Sequence, residues 1–354
     1  MKLKDMRYVI GDNFSFKGSI SSGGSETLKG YVPIFNATVI EKLNQAGAKL
    51  AHVTSVKEFE VDIKQTSLSA LSISENEADF GIGTDFNGIL RKSATEANIV
   101  GFKPTYGLIS RFGMYAVAST LDTVGIYGSD VKTCAIVADE LKGLDEKDMN
   151  TWDSSKIDLV NNLENEISPK LFYLDNFAKI QSFTKNNLYD KYQIKAESIP
   201  SFKGMNMGII FDIHNCIMSA EMTTTLANLT GIPFGNTGKG KNIDEMMVDF
   251  RSNFTPVVKK HLMVGCYSLL KENLDKYYYN SLRLRGLLFE ELNKLFEKYD
   301  ALITGNTGGD QLIANLCGYP SITVNGLLIT GRQKDDAKIL AIANAIEKGK
   351  ILND

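Results

Sequence analysis

Cysteine is sparse in this chain, and its placement excludes a disulfide or zinc framework. Cys134, Cys216, Cys266 and Cys317 are widely spaced among apolar neighbours, with no Cys-x-x-Cys pair, which is the usage expected of free thiols in a reducing compartment. Histidine is scarcer still. His52, His214 and His261 stand too far apart in sequence for metal-ligand spacing, so no metal and no cofactor is expected, and each is read as a structural residue. No stretch reaches the ~20 apolar residues of a membrane span, and MKLKDMRYVI contains no apolar run of signal-peptide length. A cytoplasmic protein with no membrane contact is expected. An excess of basic charge is missing too: 39 Lys and Arg against 42 Asp and Glu give a formal net charge of −3. That balance argues against a broad nucleic-acid footprint and leaves room only for local patches.

What is present supports a large core. With 43% hydrophobic residues in 354 positions, one α/β domain over 1–354 is expected. Its most constrained stretch is Gly81–Gly128, where Gly81, Gly83, Gly88, Gly101, Gly107, Gly113, Gly125 and Gly128 alternate with short apolar pieces. Such a run predicts buried strands and tight turns rather than a long helix. Upstream, residues 6–13 read as a strand ending at Gly11-Asp12-Asn13. Val39, Ile40, Leu43 and Leu50 precede and follow Gly47 as a helix that gives way to the strand AKLAHVTSV. Downstream, SDVKTCAIVADELKG predicts an amphipathic helix with its N-cap at Ser129 or Asp130 and a stop at Gly143. Residues 144–205 form a polar segment rich in Asp, Asn and Lys, with short apolar stretches. A strand-like run and then a helix holding Ala220, Glu221 and Leu226 are expected in 205–236, and two long helices in 250–300.

The pieces GTDFNG, GFKPTYG and SRFGMYAVASTLDTVG, followed by SDVKTCAIVADEL, resemble the amidase signature family, most closely its amidotransferase A subunits. NATVIEKLNQAGAKLAHVTSVKEF, KYDALIT and NLCGYPSITV extend the likeness to about 80% of the chain. The resemblance implies an α/β fold with a mixed central sheet covered by helices on both faces, here shortened at the N-terminus. It also implies a Ser-cisSer-Lys triad, and the matching positions are altered. The nucleophile falls on Ile89, which has no lone pair with which to attack a carbonyl, and the Lys falls on Gly11. Counting back from Ile89 puts the cis-Ser on Gln65, next to a deletion of roughly twenty family residues, with Thr66, Ser67 and Ser69 close by in sequence. The family's oxyanion-hole turn corresponds to Phe86, Asn87 and Gly88, while Asp85, Arg91 and Lys103 keep the family's residue types and are expected to hold that turn.

Phe86 and Ile89 replace small residues, so a closed or strongly apolar pocket is expected, with the working surface elsewhere, on the helices of 250–300 or in 144–205. Lys259, Lys260 and His261 occupy the place of a basic cluster and offer residual anion binding, against the plainer reading of a solvated helix face. GNTGKGKN at 235–242 imitates a phosphate loop but carries Asn242 where Ser or Thr is needed, so a plain surface loop is expected. The resulting functional expectation is a catalytically inactive homologue of the amidotransferase A subunits that binds or scaffolds protein partners, possible B- or C-like subunits among them, touching tRNA only indirectly if at all. Two alternatives stay open: an atypical component of a tRNA-dependent amidotransferase, and a protein that binds a small amide or amino acid.

Overall fold

The computed structural model describes residues 3–165, 167–174, 192, 194–203, 207–233, 235–305 and 309–349. Its strands are β1 (Arg7–Gly11), β2 (Lys49–Thr54), β3 (Phe80–Thr84), β4 (Val100–Lys103), β5 (Val124–Gly128), β6 (Leu171–Leu174), β7 (Lys195–Glu197), β8 (Ala301–Gly305), β9 (Ser321–Val324) and β10 (Leu327–Thr330). They join one sheet in the order β2-β1-β3-β5-β4-β9-β10-β8-β6-β7. Pairing is parallel at the two ends, β2 with β1 and β1 with β3, then β8 with β6 and β6 with β7. It is antiparallel through the middle, which makes the sheet mixed.

The middle strands are buried along their whole length, the pattern of a sheet covered on both faces. Alternation along each strand decides which face a side chain joins. Phe80, Ile82, Val124, Ile126, Ala301 and Ile303 enter one apolar cluster, beneath α1 (Thr38–Gln45), α4 (Val131–Leu141) and α10 (Asp336–Glu347). Leu302, Phe172 and Leu174 point the other way, into a second cluster under α5 (Met207–Leu226), α7 (Pro256–Leu269), α8 (Asn280–Phe296) and α9 (Asp310–Cys317). On that same side, Val9 and Tyr127 pack with α2 (Leu68–Ser74) and α3 (Ile89–Glu96) in a smaller cluster. The remaining long element is α6 (Ile243–Ser252).

Most sequence-predicted elements are present: β1, α1 and β2 fall where the apolar pattern puts them, and Asp130 caps α4 by accepting from the Thr133 N–H at 2.6 Å. One prediction is corrected. From Met207, where the described residues resume, the run read as strand in 205–236 is helix, α5, because Ile210, Ile213, Ile217 and Met218 bury one face at helical spacing. Gly265 lets α7 cross it closely: a Cβ there would stand 2.1 Å from the Ser219 carbonyl oxygen. In 250–300 the two helices are α7 and α8, joined through a π-helical turn at Asp275–Tyr279 that takes up the three tyrosines. Parts of the 144–205 segment lie outside the described residues. Among the described residues no helix is long and apolar enough to cross a membrane.

Candidate functional site

The site is built on the turn between β3 and α3. Gly88 makes that turn with φ +82°, and a Cβ there would lie 2.0 Å from Gln311 Cγ, so both conformation and space require glycine. Beneath it Arg91 Nε donates to Asp85 Oδ2 at 2.8 Å, both side chains fully buried. The guanidinium's other N–H groups reach Asn315 Oδ1 (2.8 Å), the Gln311 carbonyl (2.9 Å) and Ser321 Oγ (3.2 Å). Asn315 Nδ2 in turn donates to the Asp85 carbonyl at 2.8 Å. Burial pushes the Asp85 carboxyl up, but Arg91 and Lys103 outweigh it and hold the group below its usual range. Burial takes Lys103 down to about 7; the like charge of Arg91 acts in the same sense, and Asp85 and Asp336 oppose it. Asp85 and Arg91 thus form one buried network under the turn, while Lys103, buried near it, donates to the Pro104 carbonyl at 3.0 Å.

Two N–H groups at the end of the turn are taken by the chain itself. Gly88 N–H donates to Asp85 Oδ1 at 2.8 Å, and Ile89 N–H to Asn87 Oδ1 at 3.1 Å. Asn87 Nδ2 reaches back to the Glu60 carbonyl at 3.1 Å, tying the turn to the loop before α2. The Phe86 carbonyl accepts from His214 Nε2 at 2.8 Å. A carbonyl can only accept, so that nitrogen carries the proton, and burial lowers the His214 pKa to about 4, which keeps the ring neutral.

Ile89 and Gln65 meet across a cavity of about 240 Å³, whose wall also includes Val56, Lys57, Glu60, Asp62, Ser67 and Leu68. Gly11 stands one layer behind. A Cβ on it would lie 2.5 Å from Asn13 Oδ1 and 2.9 Å from Val56 Cγ1, so neighbouring side chains fill the space a longer residue would enter. The three altered positions therefore converge on one region. The expected closure does not occur as stated: Ile89 is one wall of an open space with charged and polar residues. Phe86 turns away into the second apolar cluster with Phe59, Val117 and Leu121.

The nearby hydroxyls have other partners. Ser69 is buried against Thr54 Oγ1 (2.7 Å), Thr66 donates to Glu96 (2.8 Å), and Ser67 is hydrogen-bonded to the buried Tyr127. Lys259, Lys260 and His261 lie on α7 and take no part in the cavity wall. Lys259 Nζ ties to the Ser252 carbonyl (2.6 Å), and His261 Nδ1 faces Ser219 Oγ (3.0 Å), with burial and then Lys260 lowering the imidazole's pKa. In the 235–242 loop, Asn242 caps α6 by accepting from the Glu245 N–H at 2.9 Å, and the Glu245 carboxylate takes the Lys241 N–H, leaving an acidic group where a phosphate would sit.

Sequence reasoning missed Glu60. It is 6% exposed, its backbone φ is +55°, and its Oε2 accepts from Asn13 Nδ2 at 3.3 Å and from the Thr84 hydroxyl. Burial raises its pKa to about 7 against the pull of those hydrogen bonds. Nothing local marked it in the sequence, where Glu58, Glu60 and Asp62 alternate alike with apolar residues.

A mixed sheet with helices on both faces, and a strand-turn-helix holding a buried Asp–Arg pair beside a cavity, define a protein built on the amidase scaffold. The Amidase family model matches residues 66–172. The A subunit of the glutamyl-tRNA(Gln) amidotransferase of Thermoanaerobacter pseudethanolicus is 30% identical over 403 aligned residues, covering 98% of this chain and 83% of that protein. That of Methanosarcina acetivorans is 29% identical, covering 96% and 83%. By these matches the chain belongs to the amidase family that includes the amidotransferase A subunits. The crystal structure of the Thermotoga maritima A subunit superposes with a TM-score of 0.75 at 23% identity, covering 98% of this chain and 84% of that one. A 6-aminohexanoate cyclic dimer hydrolase complexed with substrate gives 0.78 at 13%, covering 98% and 85%, a likeness of fold alone.

Proposed function

We propose that this chain is a catalytically inactive homologue of the amidotransferase A subunits, acting as a cytoplasmic binding or scaffolding protein in a single domain. The observation that carries the reading is the state of the β3–α3 turn. An acyl-transfer site needs a nucleophile, a base and N–H donors aimed at the developing oxyanion. Here the first helical residue is Ile89, the Gly11 side-chain space is filled by Asn13 and Val56, and the Gly88 and Ile89 N–H groups are spent on Asp85 and Asn87. The buried Asp85–Arg91 pair beneath the turn is in place, which supports a reading in which the scaffold is kept without the chemistry.

The relatives named above are subunits of a larger enzyme, and the partners proposed for this chain are therefore B- and C-like amidotransferase subunits, with tRNA reached only through them. Affinity purification of the tagged chain from its own cells, followed by mass spectrometry, tests the assignment. Recovery of B- and C-like subunits in stoichiometric amounts supports it, and their absence from a preparation of folded protein rejects them as partners.

A further inference from the structure

The cavity beside Ile89 contains a carboxyl group for which a scaffolding role has no use. Glu60 and the residue before it, Phe59, both hold φ in the left-handed region, +55° and +50°, which non-glycine residues adopt only where their surroundings impose it. The result is a buried carboxyl in the cavity wall, hydrogen-bonded through Oε2 to Asn13 and Thr84. Asn13 Oδ1, next to Gly11, is buried without a hydrogen-bond partner. Asp62 and Gln65 add further acceptors to the wall, whereas Val56, Leu68 and Ile89 give it an apolar side. Among the described residues the one cationic side chain in the wall is Lys57, and it is exposed. The wall thus sets two carboxyl groups, Glu60 and Asp62, against one exposed ammonium in a partly apolar space of about 240 Å³, and its other polar groups, the Gln65 amide and the Ser55, Thr66 and Ser67 hydroxyls, are uncharged.

We propose that this cavity binds a short-chain primary ammonium ion, its N–H groups on the Glu60 carboxylate and its alkyl chain against Val56, Leu68 and Ile89. A primary ammonium offers three donors and no acceptor, which matches this wall, and it supplies positive charge beside the buried carboxyl. An anionic ligand meets Glu60 and Asp62 and is disfavoured. Binding there is independent of whether the chain assembles with amidotransferase subunits.

The ion binds only the ionised carboxylate, so affinity follows the titration of Glu60. Burial raises that group to about 7, Thr84 and Asn13 oppose the rise, and Asp85 adds to it. Tyr127 also faces it, and Lys57 and Asp62 share the wall. Since the apparent dissociation constant scales inversely with the ionised fraction, binding strengthens about tenfold from pH 6 to pH 8.

Isothermal titration calorimetry of the full chain with n-propylammonium chloride, with sodium chloride and n-propanol as controls, tests the proposal. The expected result is saturable single-site binding with a dissociation constant on the order of 1 mM at pH 8, about tenfold weaker at pH 6, and no saturation with either control. Glu60→Gln should weaken binding at least about tenfold while keeping a cooperative melt. If that variant does not fold, Leu68→Trp serves instead: Leu68 is 49% exposed at the rim, so the change narrows the cavity with Glu60 intact and should also weaken binding. No saturable heat with the ammonium at pH 8, equal binding of n-propanol, or binding unaltered by the folded variants would overturn the proposal.

Discussion

A buried carboxyl with a raised pKa destabilises the fold at high pH, and Glu60 is the plainest case in this chain. Its folded value of about 7 exceeds the ordinary 4.5, so between those limits the folded state holds a proton the unfolded state has lost. Stability from this group is therefore fully present below pH 4.5 and is lost as pH rises through about 7. Glu60→Gln removes the dependence. Relative to the parent, the variant should be close to neutral at pH 5 and more stable by about 3 kcal/mol at pH 8, read from urea melts at the two pH values. A constant difference across that range would mean that Glu60 is not the buried acid described. Position 89 makes a different point. Ile89→Ser alone should yield no amide hydrolysis, because a Ser hydroxyl without a base stays un-ionised and the Gly88 and Ile89 N–H groups are already bonded. Robust turnover by that single variant, followed as ammonia release, would reveal a base elsewhere in the cavity. Family resemblance assigned Gly11, Gln65 and Ile89 to the triad positions, and the structure places Ile89 and Gln65 on one cavity with Gly11 behind its Val56. Glu60 was not legible in the sequence, since its role depends on a left-handed backbone and a burial that no local pattern encodes.

At the scale of an element, the β3–α3 turn rests on a buried ion pair. The buried Asp85–Arg91 pair is stable only as a pair: Arg91→Met leaves the Asp85 charge in a dry site and should cost about 3–5 kcal/mol in a urea melt. A loss below about 1 kcal/mol would show that the network is not a determinant of the turn. Gly88→Ala has two faults at once, a Cβ at φ +82° and a contact 2.0 Å from Gln311 Cγ, and should destabilise by about 2–4 kcal/mol. Family resemblance marked Asp85, Arg91 and Lys103 as supports of this turn; Asp85 and Arg91 bond within it, whereas Lys103 bonds the Pro104 carbonyl. The capture of the Ile89 N–H by the Asn87 side chain was not readable in the sequence, because it is a matter of rotamer and distance. Bulk misled the reading of the pocket, for Phe86 and Ile89 are both buried yet face different spaces. Apolar density likewise misled it in α5, where a run rich in Ile and Met looks like a strand until its period is set by packing on α7 and α8.

For the whole molecule, one sheet carries two unlike faces. The face under α1, α4 and α10 is an apolar core, while the opposite face divides between the α2–α3 cluster, whose helices begin at Leu68 and Ile89 in the cavity wall, and the larger cluster under α5, α7, α8 and α9. The class of fold was legible because glycine-rich strands and capped helices leave local signals. The joining of these strands in a mixed order was supplied by family resemblance, since pairing between residues as distant as Phe102 and Ile322 leaves no local trace. On the function proposed above, such a scaffold offers a partner its surface rather than a reaction. Ammonia release from glutamine by the purified chain tests that distinction most directly, with and without any co-purifying subunits removed. The purified chain alone should release ammonia at the rate of the buffer control. Release above that rate, abolished by Ser67→Ala or Glu60→Gln in folded variants, would contradict the loss of chemistry and identify a working amidase site built from residues other than the family's own.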